Sequence, residues 1–236
     1  KTFSFAPPPE FDMSIAVQVV PVTFLYVGML SMTNYCLRFV DVSFYQILRS
    51  LVIPLNILSS FVILGYLPRM RTLGCCLVVM LGFFLGSISE LNFTYEGFFT
   101  GCLASLFMAL YSTYVKKVLN LVNGSTWRLM HYTTILATIM TAPLVIVSGE
   151  YSNAVKNEHF YQRSFWAIMT ASALFGFLIN LAYFALIKHG SPLTTHISSC
   201  AKSALQAALG IAFYRNKVTG VNVLGIFLTL LGSAMY

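Results

Sequence analysis

Eight apolar stretches, read at residues 15–37, 42–65, 73–88, 97–115, 129–148, 165–187, 193–214 and 218–236, run through this sequence with almost no charge inside them. Their connectors are short and hold nearly all the charge, the longest running from Glu150 to Arg163. A bilayer core about 30 Å thick takes roughly 20 helical residues to cross, so stretches of this length suit membrane crossings. Only 9% of the 236 residues are charged, against roughly 25% in a soluble domain, and the missing wettable surface must face lipid. No period-two alternation with regular turns marks a lipid-facing barrel, which leaves helices as the way to satisfy backbone groups in hydrocarbon. The fold class is therefore an all-α polytopic membrane protein.

Lys1, Arg69, Arg71, Lys116, Lys117, Arg128 and Lys188 fall on the side that holds the N-terminus, and Arg38, Lys156, Arg163, Arg215 and Lys217 on the other. This bias puts both termini in the cytoplasm. The net charge of +7 is accounted for by basic cytoplasmic loops, and no nucleic-acid partner is called for. The polar, proline-rich opening from Lys1 to Asp12 lacks the apolar run of a signal peptide. Cys36, Cys75, Cys76, Cys102 and Cys200 lie inside or at the ends of the stretches and read as packing residues, with no disulfide or metal spacing. Asn92 and Asn123 match the glycosylation pattern in short loops. No P-loop, catalytic triad or metal-binding helix motif appears, so neither an enzyme nor a cofactor or metal site is expected.

Carriers are often built from structural repeats that enclose the substrate near the midplane. Here Gln46-Ile47-Leu48-Arg49-Ser50 in the second stretch is echoed by Ser199-Cys200-Ala201-Lys202-Ser203 in the seventh. The following stretches open with Leu73-Gly74 and Leu224-Gly225 and carry Gly82 and Gly232. An offset of five spans is odd, so the copies would run in opposite directions across the membrane. Pairing the first three spans with the last three leaves the fourth and fifth without partners, which implies ten spans with the first two lying upstream. An eight-span protein without a repeat is the alternative. On the repeat reading, residues 1–95 are the N-terminal repeat lacking two spans and 96–236 the complete five-helix repeat, in one integrated membrane domain.

Lys202 sits about ten residues into its span, too deep to snorkel, where a cation costs several kcal/mol. All seven acidic residues lie in loops, so an anionic substrate is its expected partner. Arg49 has the same candidate role, or else reaches an interface or helix-end carbonyls. Two cations without a buried acid suit phosphate or diphosphate in a central cavity. Thr194, Thr195, His196, Ser198, Ser199, Ser203 and Gln206 surround Lys202 in sequence and make a candidate polar cavity wall. His131-Tyr132-Thr133-Thr134 offers groups for a base or sugar, and Tyr45, Asn56 and Asn180 are weaker candidates of the same kind. Each of these has helix–helix hydrogen bonding as its alternative. Gly82-x-x-x-Gly86 and Gly97-x-x-x-Gly101 present small faces for close helix packing, with a homodimer contact as a second use.

Several stretches together carry a family likeness: Val42-Ser43-Phe44-Tyr45 with Leu48-Arg49-Ser50, Leu103-Ala104-Ser105-Leu106, residues 114–119, Gly124-Ser125-Thr126-Trp127-Arg128-Leu129, Phe175-Gly176-Phe177, and Ser191-Pro192-Leu193-Thr194 through Ala201-Lys202 to Gln206. The chain resembles, from about Val20 to Tyr236, the GDP-fucose transporter branch of the nucleotide-sugar transporters. The resemblance implies a drug/metabolite-transporter fold of two inverted five-helix repeats, with about eight of ten spans present here. It also implies a multi-pass Golgi-membrane antiporter, with the endoplasmic reticulum as the other location, exchanging a nucleotide sugar for a nucleoside monophosphate without a cofactor. Lys202 matches the lysine of the family's ninth-helix motif, expected to contact phosphate or sugar, with Ser198 and Ser199 at adjoining small-residue positions. Where the family's seventh helix carries Phe-Tyr-Asn-Asn, whose asparagines help recognise guanine, this chain has His131-Tyr132-Thr133-Thr134. A threonine does not present the paired donor and acceptor of an amide. GDP-mannose, a UDP-sugar or a sugar phosphate is thus an alternative cargo, and a transport-inactive membrane scaffold is the alternative of another class.

Overall fold

The computed structural model describes residues 12–40, 45, 48–65, 68–87, 94–119, 122, 124–149, 160, 162–214 and 220–236. Their secondary structure is helical: α1 Met13–Cys36, α2 Val52–Leu64, α3 Met70–Ser87, α4 Tyr95–Leu119, α5 Thr126–Val147, α6 Arg163–His189, α7 Pro192–Tyr214 and α8 Gly220–Met235. Each falls on one of the eight apolar stretches, and the chain is a multi-pass helical membrane protein. Among the described residues, α1, α4, α5 and α6 are long and apolar enough to cross a bilayer unaided. Of the others, α2 has 13 residues and α8 has 16, while α7, with 23 residues, is long enough but carries more polar side chains. A helical turn at residues 48–50 extends α2 backwards across a break at Leu51. Asn92, Asn123 and most of the Glu150–Arg163 connector lie outside the described residues.

Helix ends explain two of the sequence motifs. Ser125 accepts the Arg128 N–H at 3.3 Å and so caps α5. Ser191 accepts the Thr194 N–H at 3.1 Å, and Pro192 follows as the first residue of α7, where its fixed φ suits the turn and its missing N–H costs nothing. At the same end, Lys116 of α4 donates from Nζ to the carbonyls of Ile187, Lys188 and Gly190 at 2.8, 3.0 and 2.9 Å. A cation thereby satisfies the last carbonyls of α6.

Two apolar clusters organise the bundle. One joins α1, α4, α5 and α6 through residues such as Val19, Val115, Leu129 and Phe184. The other joins α2, α3 and α7 through Ile53, Val79 and Ile197, and α8 lies along α3 in the most extensive helix pairing. That pairing is made by glycine. A Cβ on Gly82 would meet the Thr229 backbone N at 2.5 Å and the Gly225 carbonyl at 2.8 Å, while one on Gly232 would meet Val79 Cγ2 at 2.9 Å. Removing the side chain lets the backbones approach closely. All five cysteines are free, with Cys36, Cys76 and Cys200 buried among packed neighbours.

One spacing recurs. Helices α1 and α6 begin at residues 13 and 163, 150 residues apart. Gly82 packs on Thr229 while Gly232 packs on Val79; these contacts interchange under the same shift, as they do across a two-fold axis.

Candidate functional site

Between the two apolar clusters runs a polar seam that ties α2, α4 and α7 together. Asn56 of α2 is fully buried; its Nδ2 donates to Ser112 Oγ at 2.9 Å and Thr113 Oγ1 at 3.2 Å on α4. Ser59 adds a 2.9 Å bond to Thr113. On the far side of Ser112, its Oγ lies 2.8 Å from His196 Nε2 on α7. Ser112 Oγ is also within hydrogen-bond reach of the Ala109 carbonyl, at 2.9 Å. Apolar helix surfaces do not choose between each other and lipid tails, whereas such bonds do, at about 0.6 kcal/mol each.

Arg49 lies beside this seam, lining one cleft with His196. Its Nη2 donates to Ser199 Oγ at 2.7 Å, and no ion pair joins it to an acid among the described residues. A cleft lined by Arg49, Ser50, Met108, His196, Ser199 and Ser203 adjoins this bond. It has room for little more than a water molecule, so the bundle is closed here.

A second cavity, of about 610 Å³, opens between α1, α4, α5 and α6. Its walls include Tyr26, Tyr111, Thr133, Thr134, Thr138, Thr141, Gly176, Phe177 and Asn180. Tyr111 is buried, with its ring 5.4 Å from that of Tyr26 and stacked on Tyr183 at 5.9 Å. This volume falls within the range of small-molecule sites.

The expected site residues thus separate into groups. Arg49 and Ser199 meet directly; Thr133 and Thr134 line the large cavity. Ser198 and Lys202, one turn apart, are exposed on one stripe of α7, and Lys202 does not line the Arg49 cleft. Tyr132 is fully buried, its hydroxyl accepting the Asp12 N–H at 2.8 Å, and the half-buried His131 ring packs edge-on against it at 6.3 Å. Tyr45 packs in the Cys36–Val40–Leu48 cluster, its hydroxyl 3.3 Å from Thr33 Oγ1. Thr194 bonds Ser191 Oγ and the Tyr236 hydroxyl, each at 2.9 Å. The side chain of Gln206 lies outside the described residues.

Sequence reasoning missed Ser112, which has no motif around it, and the pair Thr138 and Thr141. The latter had a signal: Thr134, Thr138 and Thr141 follow an i, i+4, i+7 pattern that places them on one helix face.

Comparison with known proteins was made against this geometry. The sequence model of the Triose-phosphate Transporter family matches residues 2–236. The chain is similar to GDP-fucose transporter 1 of Dictyostelium discoideum, at 42% identity over 99% of this chain and 63% of that protein. It is 36% identical to GDP-fucose transporter 1 of Mus musculus over 87% of this chain and 57% of that one. For the Drosophila melanogaster GDP-fucose transporter, Golgi, the figures are 32%, 99% and 70%. The chain spans about three fifths of the length of the first curated relatives it matches, 63%, 64% and 57% of them. A chain of known crystal structure, 14% identical, superposes with a TM-score of 0.72 over 96% of this chain and 76% of its own length, a likeness of fold.

Proposed function

We propose that this chain, which belongs to the Triose-phosphate Transporter family, is the larger part of a Golgi nucleotide-sugar antiporter that exchanges GDP-fucose for a nucleoside monophosphate. The observation that carries this reading is the Arg49 guanidinium, held within the bundle on a neutral serine. A cation there without a carboxylate partner among the described residues is suited to bind phosphate oxygens, and the neighbouring large cavity has space for the nucleoside and sugar. The names of relatives covering nearly the whole chain support GDP-fucose as cargo and the Golgi as location.

Residues 1–95 and 96–236 act as two inverted repeats with both termini in the cytoplasm, and the interchange of the Gly82 and Gly232 contacts under a 150-residue shift supports that division. Transport follows from their rocking about the seam, so that the closed Arg49 cleft and the open cavity exchange access between the two membrane faces. Arg49 and Lys202 neutralise phosphate, and α5 and α6 hold the nucleoside. Since Thr133 and Thr134 lack amide groups, a carrier of another nucleotide sugar is the second reading. A homodimer is a further proposal, through the outer faces of the small-residue helices.

Uptake of labelled GDP-fucose into liposomes containing the purified full-length protein tests the phosphate site. Lys202→Ala and Arg49→Ala are each expected to lower uptake at least tenfold. Uptake equal to wild type in both variants contradicts the site.

A further inference from the structure

Of the seven described polar residues that line the 610 Å³ cavity, three threonines have already committed their hydrogens. Thr133 donates to the Leu129 and Met130 carbonyls at 3.0 Å each, Thr138 to Thr134 at 2.9 Å, and Thr141 to Ala137. These hydroxyls offer a ligand only lone pairs. Thr134, Tyr26 and Tyr111 can each offer one hydroxyl group. Asn180, half-buried on α6, is different: its amide has no partner among the described residues and presents an adjacent donor and acceptor in one plane.

The recurrent spacing shows how this wall came to be asymmetric. Tyr26 and Leu30 of α1 line one side of the cavity, and Gly176 and Asn180 of α6 line it from positions 150 residues later. A large ring in one half is matched by no side chain in the other, and an apolar leucine is matched by an amide. A Cβ on Gly176 would meet nothing within 4 Å, so the space beside Asn180 is open to a planar ligand, with Phe177 and Tyr26 able to cover its faces.

We infer that Asn180 is the base-reading residue of the carrier, pairing through Oδ1 and Nδ2 with a nucleobase edge that carries an N–H beside a carbonyl. Guanine presents this edge at N1 and O6. The pair is bidentate, so it fixes the base in its plane as well as selecting it. This assignment rests on the nucleotide-sugar reading above and adds the residue that discriminates the nucleoside.

The test is competition against labelled GDP-fucose uptake, in liposomes holding the full-length protein, by GMP and by 1-methyl-GMP, which has no hydrogen on N1. With wild type, 1-methyl-GMP is expected to compete at least tenfold more weakly than GMP. In Asn180→Leu, which installs the residue found at position 30, that gap closes and the two compete alike. Asn180→Ser, a smaller change, serves where the leucine variant does not fold and is expected to close the gap equally. A role in packing alone would weaken both competitors together and keep the gap. A gap persisting in the variants, or absent in wild type, overturns the inference and leaves the carrier reading standing. Failure of GMP to compete at all in wild type overturns the carrier reading itself.

Discussion

Removing the Asn56 side chain would strip Ser112 and Thr113 of their shared donor. Each keeps another partner, Ser112 in His196 and Thr113 in Ser59, so the loss is that of two interhelical bonds at about 0.6 kcal/mol each, and Asn56→Ala should lower the melting temperature of the detergent-solubilised protein by a few degrees. Thr113→Val removes one link of the same chain and should cost less. Its combination with Asn56→Ala should be less than additive, because both act on one network. Arg49 behaves differently. Its bond to a neutral serine stabilises the bundle little, and Arg49→Lys should leave melting within about 1 kcal/mol of wild type while reducing uptake, since an ammonium does not reproduce the planar fork. Equal uptake by wild type and Arg49→Lys would show that the fork is not used.

At the scale of helices, packing of α3 on α8 should be intolerant of bulk. In Gly82→Val the new atoms meet Thr229 and Gly225 backbone, which cannot rotate away, and overpacking costs roughly 1–3 kcal/mol. Gly74→Val, on the same helix with nothing within 4 Å, is the control expected to melt near wild type. Comparable melting of the two variants would contradict the close approach. Where the helices lie was legible in the sequence, because length and apolarity decide what can cross lipid, and Ser191-Pro192 marked the start of α7 by known capping chemistry. Which helices touch was less legible. Ser112 and His196 are separated by 84 residues, and nothing in the sequence around either names the other, since lipid-like surfaces do not specify their neighbours. The candidate site divided along the same line: Arg49 stood out as an intramembrane cation, whereas the burial of Tyr132 and the use of Thr194 at a helix start depend on packing. The threonine face of α5 was readable from its spacing and became meaningful once Asn180 was seen across the cavity.

For the molecule as a whole, the proposed function makes the polar seam, the closed Arg49 cleft and the open cavity parts of one exchange device. On that proposal, the 150-residue shift that interchanges the Gly82 and Gly232 contacts marks two halves able to trade places. An antiporter must cross the membrane loaded, so its forward uptake depends on cargo on the other side. The most direct measurement is therefore labelled GDP-fucose uptake by the full-length protein in liposomes preloaded with GMP, compared with empty liposomes. The account predicts uptake at least tenfold faster into the GMP-loaded vesicles. Equal uptake with and without internal GMP, or none in either, would contradict it.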